Sequence, residues 1–217
     1  MKIDVIIPSY TSESLVPMIK NCITSLRESE KAISFNVVII ETNHENQIYV
    51  GENSCIMDLQ KPFCYNRALN YGIKETNAEW IILANNDLYF HKSWMTKILT
   101  AHSIYSEIKS FTPWNNKWDW HTSIFGNPKT DIIEGYNICK ELGGWCIIAK
   151  REIFNEIQLS EKVDFWYSDN IYADALKKAG IRHALVTKSF VDHLVSQTKV
   201  MTQLDAIQAY NQYCVIN

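Results

Sequence analysis

Short β-branched apolar runs alternate along the chain with stretches whose apolar residues recur every three or four positions. The sharpest run is Trp80-Ile81-Ile82-Leu83-Ala84, which passes into Asn85-Asn86-Asp87 and then into Leu88-Tyr89-Phe90. A continuous apolar run of that length reads as a strand buried on both faces, as in a parallel sheet. Ligands of open α/β sheets bind outside the carboxyl ends of the strands. Asp87 therefore stands where such a sheet presents a carboxylate to a ligand. The plainer alternative is an Asx-rich turn that only closes the strand.

Upstream, Ile3 to Ile7 is a strand stopped by Pro8-Ser9-Tyr10. Thr11 or Ser12 caps the next helix, with Glu13 in its first turn. Leu15, Val16, Ile19, Cys22, Ile23 and Leu26 form its core-facing stripe. Phe35 to Ile40 is a second buried strand ending at Glu41. A right-handed βαβ crossover places Glu41 beside Pro8-Ser9-Tyr10 at one sheet edge. Residues 44–62 are polar and show no period. Phe63 to Lys74 predicts a helix carrying Asn66, Arg67 and Asn70, with Gly72 weakening its end.

Downstream, Ser93 caps a helix whose apolar face is Met95, Ile98, Leu99, His102 and Tyr105. Phe111-Thr112-Pro113 ends a short strand. Trp114 to His121 then holds three tryptophans among Asn and Asp. That composition fits a carbohydrate-facing or partner-facing loop and equally a folded-back hydrophobic plug. Leu142 to Ala149 is a strand entered through Gly143-Gly144, where backbone or ligand approaches closely. Lys150 to Ile157 is a short helix. Ser168 is a good N-cap for a helix from Asp169 to its C-cap Gly180. Ile181 to Val186 is the last strand, followed by Val191-Asp192-His193-Leu194. A terminal helix over about 204–213 turns Leu204, Ile207 and Tyr210 inward. With no repeat and no linker, the pattern predicts a single α/β domain.

Composition narrows the picture modestly. The 217 residues are 47% hydrophobic and 21% charged, which excludes wholesale disorder. A net charge of −3 and a pI near 6.1 disfavour non-specific attraction to nucleic acid or anionic membrane. No apolar span approaches membrane-crossing length, and Asp4 interrupts the first apolar run, so no secretory signal is expected. The six cysteines, Cys22, Cys55, Cys64, Cys139, Cys146 and Cys214, form no Cys-x-x-Cys pair. They read as buried thiols of a reducing compartment, which predicts a soluble cytoplasmic protein without disulfides or zinc.

Several of these pieces together resemble family 2 glycosyltransferases of the GT-A fold. They are Val5-Ile6-Ile7-Pro8-Ser9-Tyr10, a second strand ending in an acid, Asn66-Arg67-Ala68-Leu69-Asn70, and the strand ending in Asn85-Asn86-Asp87. Gly143-Gly144-Trp145 before Lys150-Arg151-Glu152-Ile153-Phe154 is similar to the family's acceptor-side strand and helix. Tyr167-Ser168-Asp169 is similar to its Glu-Asp motif, and Val191-Asp192-His193 with Ser196 and Thr198 to its late histidine segment. The resemblance runs from residue 3 to about 198.

It implies a GT-A (Rossmann-like), mostly parallel central sheet flanked by helices. Residues 1 to about 90 would be the nucleotide-binding half, about 91–200 the acceptor half, and about 201–217 a C-terminal helix. The implied activity is inverting transfer of a sugar from a nucleoside-diphosphate donor, with UDP expected, to an acceptor hydroxyl. Asp87 and His193 would hold Mn²⁺ or Mg²⁺, which neutralises the leaving diphosphate; the imidazole favours Mn²⁺. Asp169 would be the general base, kept ionised by its helix N-terminus. Pro8, Ser9, Tyr10 and Glu41 would hold the nucleoside, and Asn66 and Arg67 the base or diphosphate, with Asn85 and Asn86 on the donor side. Gly144 and Trp145 would line the acceptor side, and Trp114, Trp118 or Trp120 would stack on the acceptor.

The chain departs from the family pattern in four places. Asn85 stands where many members have the first Asp, Ser168 replaces a Glu, Ile171 replaces an Asp, and Glu41 stands alone where two acids are common. These departures keep a second reading open, a non-catalytic nucleotide-sugar or glycan-binding module. A third reading takes a hydroxylated base of phage-type DNA as acceptor. The acidic pI counts against it, while Lys117 within the tryptophan loop allows stacking on bases.

Overall fold

The uninterrupted β-branched runs form strands that join one mixed sheet. The structure is a computed structural model that describes residues 1–10, 12–43, 54–58, 63–194 and 206–216. The strands are β1 (Lys2–Ser9), β2 (Ser34–Glu41), β3 (Ser54–Asp58), β4 (Trp80–Ala84) and β5 (Leu88–Phe90). They continue with β6 (Ser110–Trp114), β7 (Ile132–Glu134), β8 (Cys146–Lys150) and β9 (His183–His193). The helices are α1 (Val16–Ser29), α2 (Tyr65–Lys74), α3 (Trp94–Ile104), α4 (Trp120–Phe125), α5 (Ser168–Ala179) and α6 (Ala206–Ile216). The strand order is β3-β2-β1-β4-β8-β6-β9-β5, with β7 also on β9. Strands β1, β2, β3, β4, β6 and β9 share one direction, and β5, β7 and β8 run against it.

Alternation along β1 divides the core between the two faces of the sheet. Ile3, Val5 and Ile7 meet Ile19, Ile23 and Leu26 of α1 and Trp94, Met95 and Ile98 of α3. Ile6 faces the opposite way, toward Ala68 and Leu69 of α2 and Tyr172, Ala173 and Leu176 of α5. Gly72 is what lets α2 lie so close: a Cβ there would sit 2.4 Å from Ile6 Cγ2. The glycine read as a weak helix end is a packing requirement.

At the end of the sheet away from the β1–β2 loops, a buried polar knot ties four segments together. Asp4 is fully buried. Its Oδ1 accepts from Asn36 Nδ2 at 2.7 Å, and its Oδ2 from the Asn77 and Ala78 amides and from Arg151 Nη2 at 2.9 Å. Arg151 donates onward to the carbonyls of Ala78 and Ile73 and to Thr76 Oγ1.

A second buried polar group holds β6, β9 and α5. His183 Nε2 donates to the Glu141 carbonyl at 3.1 Å, so its Nδ1 accepts from Ser110 Oγ at 2.7 Å. Ser110 in turn bonds the Tyr172 hydroxyl at 2.8 Å. Burial pushes the His183 imidazole down to about 4 from its ordinary 6.5. The unfolded chain therefore binds this proton more tightly, and stability is complete above pH 6.5 and lost as pH falls toward 4. The loss from this residue should reach about 3 kcal/mol, taking about 1.4 kcal/mol per pH unit. His121, buried and also pushed down to about 4, adds a slope of the same sign. Urea midpoints measured across that range should fall less steeply in His183→Gln than in the wild type. An identical slope would rule His183 out as an acid trigger.

Several expectations from the sequence are corrected. Residues 54–58, read as irregular, form β3, parallel to β2; the rest of 44–62 lies outside the described residues, as do Thr11, Ser196, Thr198 and Leu204. Ser12 and Ser93 precede helices but make no capping bond, and Ser93 is left-handed (φ 61°). Of the cysteines, Cys22, Cys64 and Cys146 are buried, whereas Cys139 and Cys214 are exposed thiols. On α6, Ile207 is 75% exposed and Tyr210 half exposed, while Ala209 is buried. The helix meets the body through Tyr210 and Tyr213, whose rings both pack on Tyr167, and the Tyr213 hydroxyl donates to Asp174. Of the expected stripe, Tyr210 keeps a contact with the body while Ile207 is turned to solvent, and Tyr213 extends the inner face. Among the described residues no helix is long and apolar enough to cross a membrane.

Candidate active site

Where the apolar run of β4 ends, Asn85-Asn86-Asp87 turns the chain into β5. That strand pairs antiparallel with β9, and the register sets Leu88 against His193. Asp87 is 2% exposed, and its Oδ1 lies 3.4 Å from His193 Nε2. Neither atom has a hydrogen-bond partner. Buried side-chain donors and acceptors are nearly always satisfied, so a facing pair left open marks a place for a bound group. A carboxylate oxygen and an imidazole nitrogen directed at each other fit a divalent cation. Among the described residues, no cluster of three or more His, Cys, Asp or Glu surrounds such a point. Ligand oxygens and water would have to complete the coordination.

His193 is held from two sides. Its ring stacks on Trp145, with centroids 5.7 Å apart and planes at 14°. Its amide donates to Asn115 Oδ1 at 3.3 Å. The amide of Asn85 donates to the Trp145 carbonyl at 2.9 Å, and Asn85 Oδ1 accepts from the Tyr65 hydroxyl at 2.8 Å. The position where the resemblance leads one to expect an acid is thus occupied by a neutral amide bound to a tyrosine. Beneath it, burial pushes the Cys22 thiol up to about 12, which keeps it protonated and inert.

Asp169 lies in the first turn of α5. The N-cap is not Ser168, as expected, but Tyr167, left-handed at φ 66°. The Asn170 amide donates to Asp169 Oδ1 at 3.0 Å. Burial nevertheless pushes the Asp169 carboxyl above its ordinary value, and the backbone hydrogen bonds offset this only in part. The expectation that the helix start would dominate is overturned, because desolvation of the charge outweighs the amides.

Gly144 makes this placement possible. A Cβ at that position would lie 2.5 Å from Asp169 Cβ and 3.1 Å from its Oδ2. Gly144→Ala should displace the carboxylate and lower kcat about 10²-fold, the cost of roughly 1 Å of misplacement. Measuring kcat together with the melting temperature checks it; full activity in a folded variant would show that the close approach is incidental.

Asn85, Gly144, Trp145, Trp118, Asp169 and His193 line one cleft of about 590 Å³. Asp87 stands behind His193. Pro8, Ser9, Tyr10 and Glu41 sit together at the ends of β1 and β2, with Ser9 registered against Glu41, and are not part of that wall. Glu41 Oε1 accepts from the amides of Thr42 and Asn43 at 3.0 and 2.8 Å. Asn86 is buried in the turn. Asn66 and Arg67 are directed elsewhere. Asn66 Nδ2 donates to the Ser160 carbonyl at 2.8 Å, and Arg67 Nε to Glu161 Oε2 at 2.9 Å. The polar side of α2 binds segment 159–161 and not the cleft.

The tryptophan loop divides between its two readings. Trp114 belongs to β6 and is buried against His121 and Phe125, so it plugs the interior. Trp118 and Trp120 reach the cleft. The loop is pinned by His121, whose Nδ1 accepts from the Asn115 amide at 2.9 Å.

The sequence reading missed Tyr65, Cys139, Phe165 and Trp166, which also line the cleft. Phe165-Trp166-Tyr167 just before the candidate base was a visible signal. Tyr65 gave none, since only the fold carries the start of α2 to the end of β4.

A Rossmann-like sheet with a carboxylate at the end of β4 and a ligand cleft at its carboxyl edge defines the GT-A class of transferase folds. The chain belongs to the family described as Glycosyl transferase family 2, whose profile matches residues 4–157, more than half of its length. Among solved structures it is similar to S. aureus TarS 1-349, with a TM-score of 0.59 and 15% identity. The match covers 88% of this chain and 59% of that one. Comparison with curated proteins finds no match. The family assignment supports glycosyl transfer.

Proposed function

We propose that the protein moves a sugar from a nucleoside diphosphate, UDP in the first instance, to an acceptor hydroxyl with inversion at the anomeric carbon. The observation that carries this reading is the open Asp87–His193 pair beside a cleft that also holds Asp169. A divalent cation held by Asp87 and His193, Mn²⁺ or Mg²⁺, would supply positive charge for the departing diphosphate. Asp169 takes the acceptor proton as that oxygen bonds to the anomeric carbon and the bond to diphosphate breaks. Pro8, Ser9, Tyr10 and Glu41 hold the nucleoside, with Asn85 and Asn86 on the donor side. Asn66 and Arg67 act through segment 159–161, and Gly144, Trp145 and Trp118 form the acceptor side. The donor half is residues 1 to about 90 and the acceptor half about 91–200. The setting is the cytoplasm.

A second reading, a nucleotide-sugar or glycan-binding module without turnover, is favoured by one feature, the neutral Asn85–Tyr65 bond in place of an acid. One experiment separates the two. The purified protein is incubated with a panel of nucleotide sugars and Mn²⁺, and nucleoside diphosphate release is followed alongside thermal unfolding. The transferase reading expects metal-dependent release and a melting temperature raised by roughly 5–10 °C at saturating Mn²⁺, both lost in Asp87→Ala. A melting shift without release supports the module; neither response discards both.

A further inference from the structure

Six aromatic rings other than Tyr65 line the cleft: Trp118, Trp120, Trp145, Phe165, Trp166 and Tyr167. Two of them are unusually exposed for their size, Trp118 at 75% and Trp120 at 43%. The walls carry Asp169 as their carboxylate and His193 as their imidazole, and among the described residues no Lys or Arg lines them. Lys117, next to the rim, folds its ammonium over the Trp118 ring at 5.0 Å.

The backbone is strained at the same place. The described non-glycine residues with positive φ are Ser93, Trp118, Asp119, Cys139 and Tyr167. All but Ser93 lie on the cleft wall or between its tryptophans. A left-handed conformation costs an L-residue roughly 1–2 kcal/mol, and such outliers gather where function over-determines the chain. Packing does not account for Trp118, which remains largely in solvent while Trp114 fills the interior; Trp120 is 43% exposed, and its Nε1 donates to the Cys139 carbonyl at 3.1 Å.

From these observations we infer that the outer cleft is an acceptor site for an uncharged sugar ring, gripped by aromatic faces, that discriminates against phosphorylated and other anionic acceptors. This rests on the glycosyltransferase reading of the same site. Pyranose rings have apolar C–H faces that match aromatic planes, and their hydroxyls can reach Asp169. An anionic acceptor would bring its charge toward the Asp169 carboxylate. Among the described residues no Lys or Arg on the wall compensates it, and the Lys117 ammonium is engaged over the Trp118 ring, so the like-charge juxtaposition in a partly desolvated site is unfavourable. The same chemistry disfavours a base in DNA, which arrives with its phosphates.

The test is a fluorescence titration of the whole protein with neutral methyl pyranosides and disaccharides and with the corresponding sugar phosphates. A single-stranded oligonucleotide bearing a hydroxymethylated base is included. At least one neutral sugar should bind saturably, the phosphorylated form at least tenfold more weakly. Trp118→Ala and Trp120→Ala should each weaken the neutral sugar about tenfold. The Trp118 side chain is 75% exposed, so Trp118→Ala should keep the wild-type melting temperature; Trp120→Ala also loses a hydrogen bond to the Cys139 carbonyl, so Trp118→Ala is the decisive variant. Phosphorylated sugar or oligonucleotide binding as tightly as the neutral ring, or no neutral sugar binding, overturns the inference.

Donor turnover without acceptor, read as metal-dependent nucleoside diphosphate release, reports separately on the transferase reading. If turnover persists and anionic acceptors accelerate it more than neutral ones, the acceptor assignment alone falls. If turnover is absent while neutral sugars bind, the aromatic site stands and the transferase reading falls.

Discussion

Asp169→Asn is expected to lower kcat for sugar transfer about 10²- to 10⁴-fold, the usual contribution of a positioned general base. Nucleotide-sugar binding should be unchanged, because the donor residues at the ends of β1 and β2 are separate from α5. The acid limb of the wild-type pH–rate profile should be shifted upward from that of a solvent-exposed carboxyl, since burial pushes the Asp169 carboxyl up. A raised value suits a base, as it strengthens the pull on the acceptor proton. Stability supplies a second readout of opposite sign. The folded state binds this proton more tightly than the unfolded chain, so the stability Asp169 provides is complete in acid and is lost as pH rises through its folded value. The Asn variant escapes that loss and should be the more stable protein at neutral pH, with the two converging in acid. Equal kcat in the two proteins would falsify the assignment of Asp169 as base.

Asp4→Ala should destabilise the protein by about 3–5 kcal/mol, the cost of breaking a buried charge network from one side. The substitution removes the acceptor of Asn36 Nδ2 and of the Asn77 and Ala78 amides, and leaves Arg151 Nη2 with Thr76 Oγ1 alone. These groups join β1, the α2–β4 connection and the residue after β8, so the loss should be felt across the sheet. Arg151→Met alone should also destabilise, because Asp4 is fully buried and would lose its cationic partner. The double variant should lose less than the sum of the two singles, as contacting residues do not add. Urea unfolding of all four proteins measures the coupling. Strict additivity would show that the two side chains act independently. Because the knot lies away from the cleft, turnover per folded molecule should hold.

The two sites illustrate different uses of buried charge. The Asp4 knot satisfies its polar atoms and locks the sheet. Asp87 and His193 leave theirs open toward each other, which is costly unless something occupies the gap.

Much of the frame was legible because it follows from local periodicity. The runs Ile3–Ile7, Phe35–Ile40 and Trp80–Ala84 can bury both faces only as inner strands, and α1 and α5 carry stripes at helical spacing. Gly180 marked the end of α5, where it is left-handed at φ 67°. Part of the site was also legible, since Asp87, Asp169, Gly144 and His193 stand at strand ends and a helix start, where an α/β sheet exposes its chemistry.

What only the tertiary structure decided concerns partners far apart in sequence. Arg67 and Asn66 form an exposed-looking polar face on a helix, and nothing local reveals that residues 159–161 cover it. Trp114 and Trp118 lie four apart in one loop, yet strand pairing of β6 buries the first and a left-handed backbone turns the second to the cleft. The direction of the Asp169 shift could not be read from its helix position, because desolvation depends on what packs around it. Local sequence determined the elements and which of their ends carry chemistry; contacts between distant segments determined which side chains share the cleft, which are held away from it and how strongly each is desolvated.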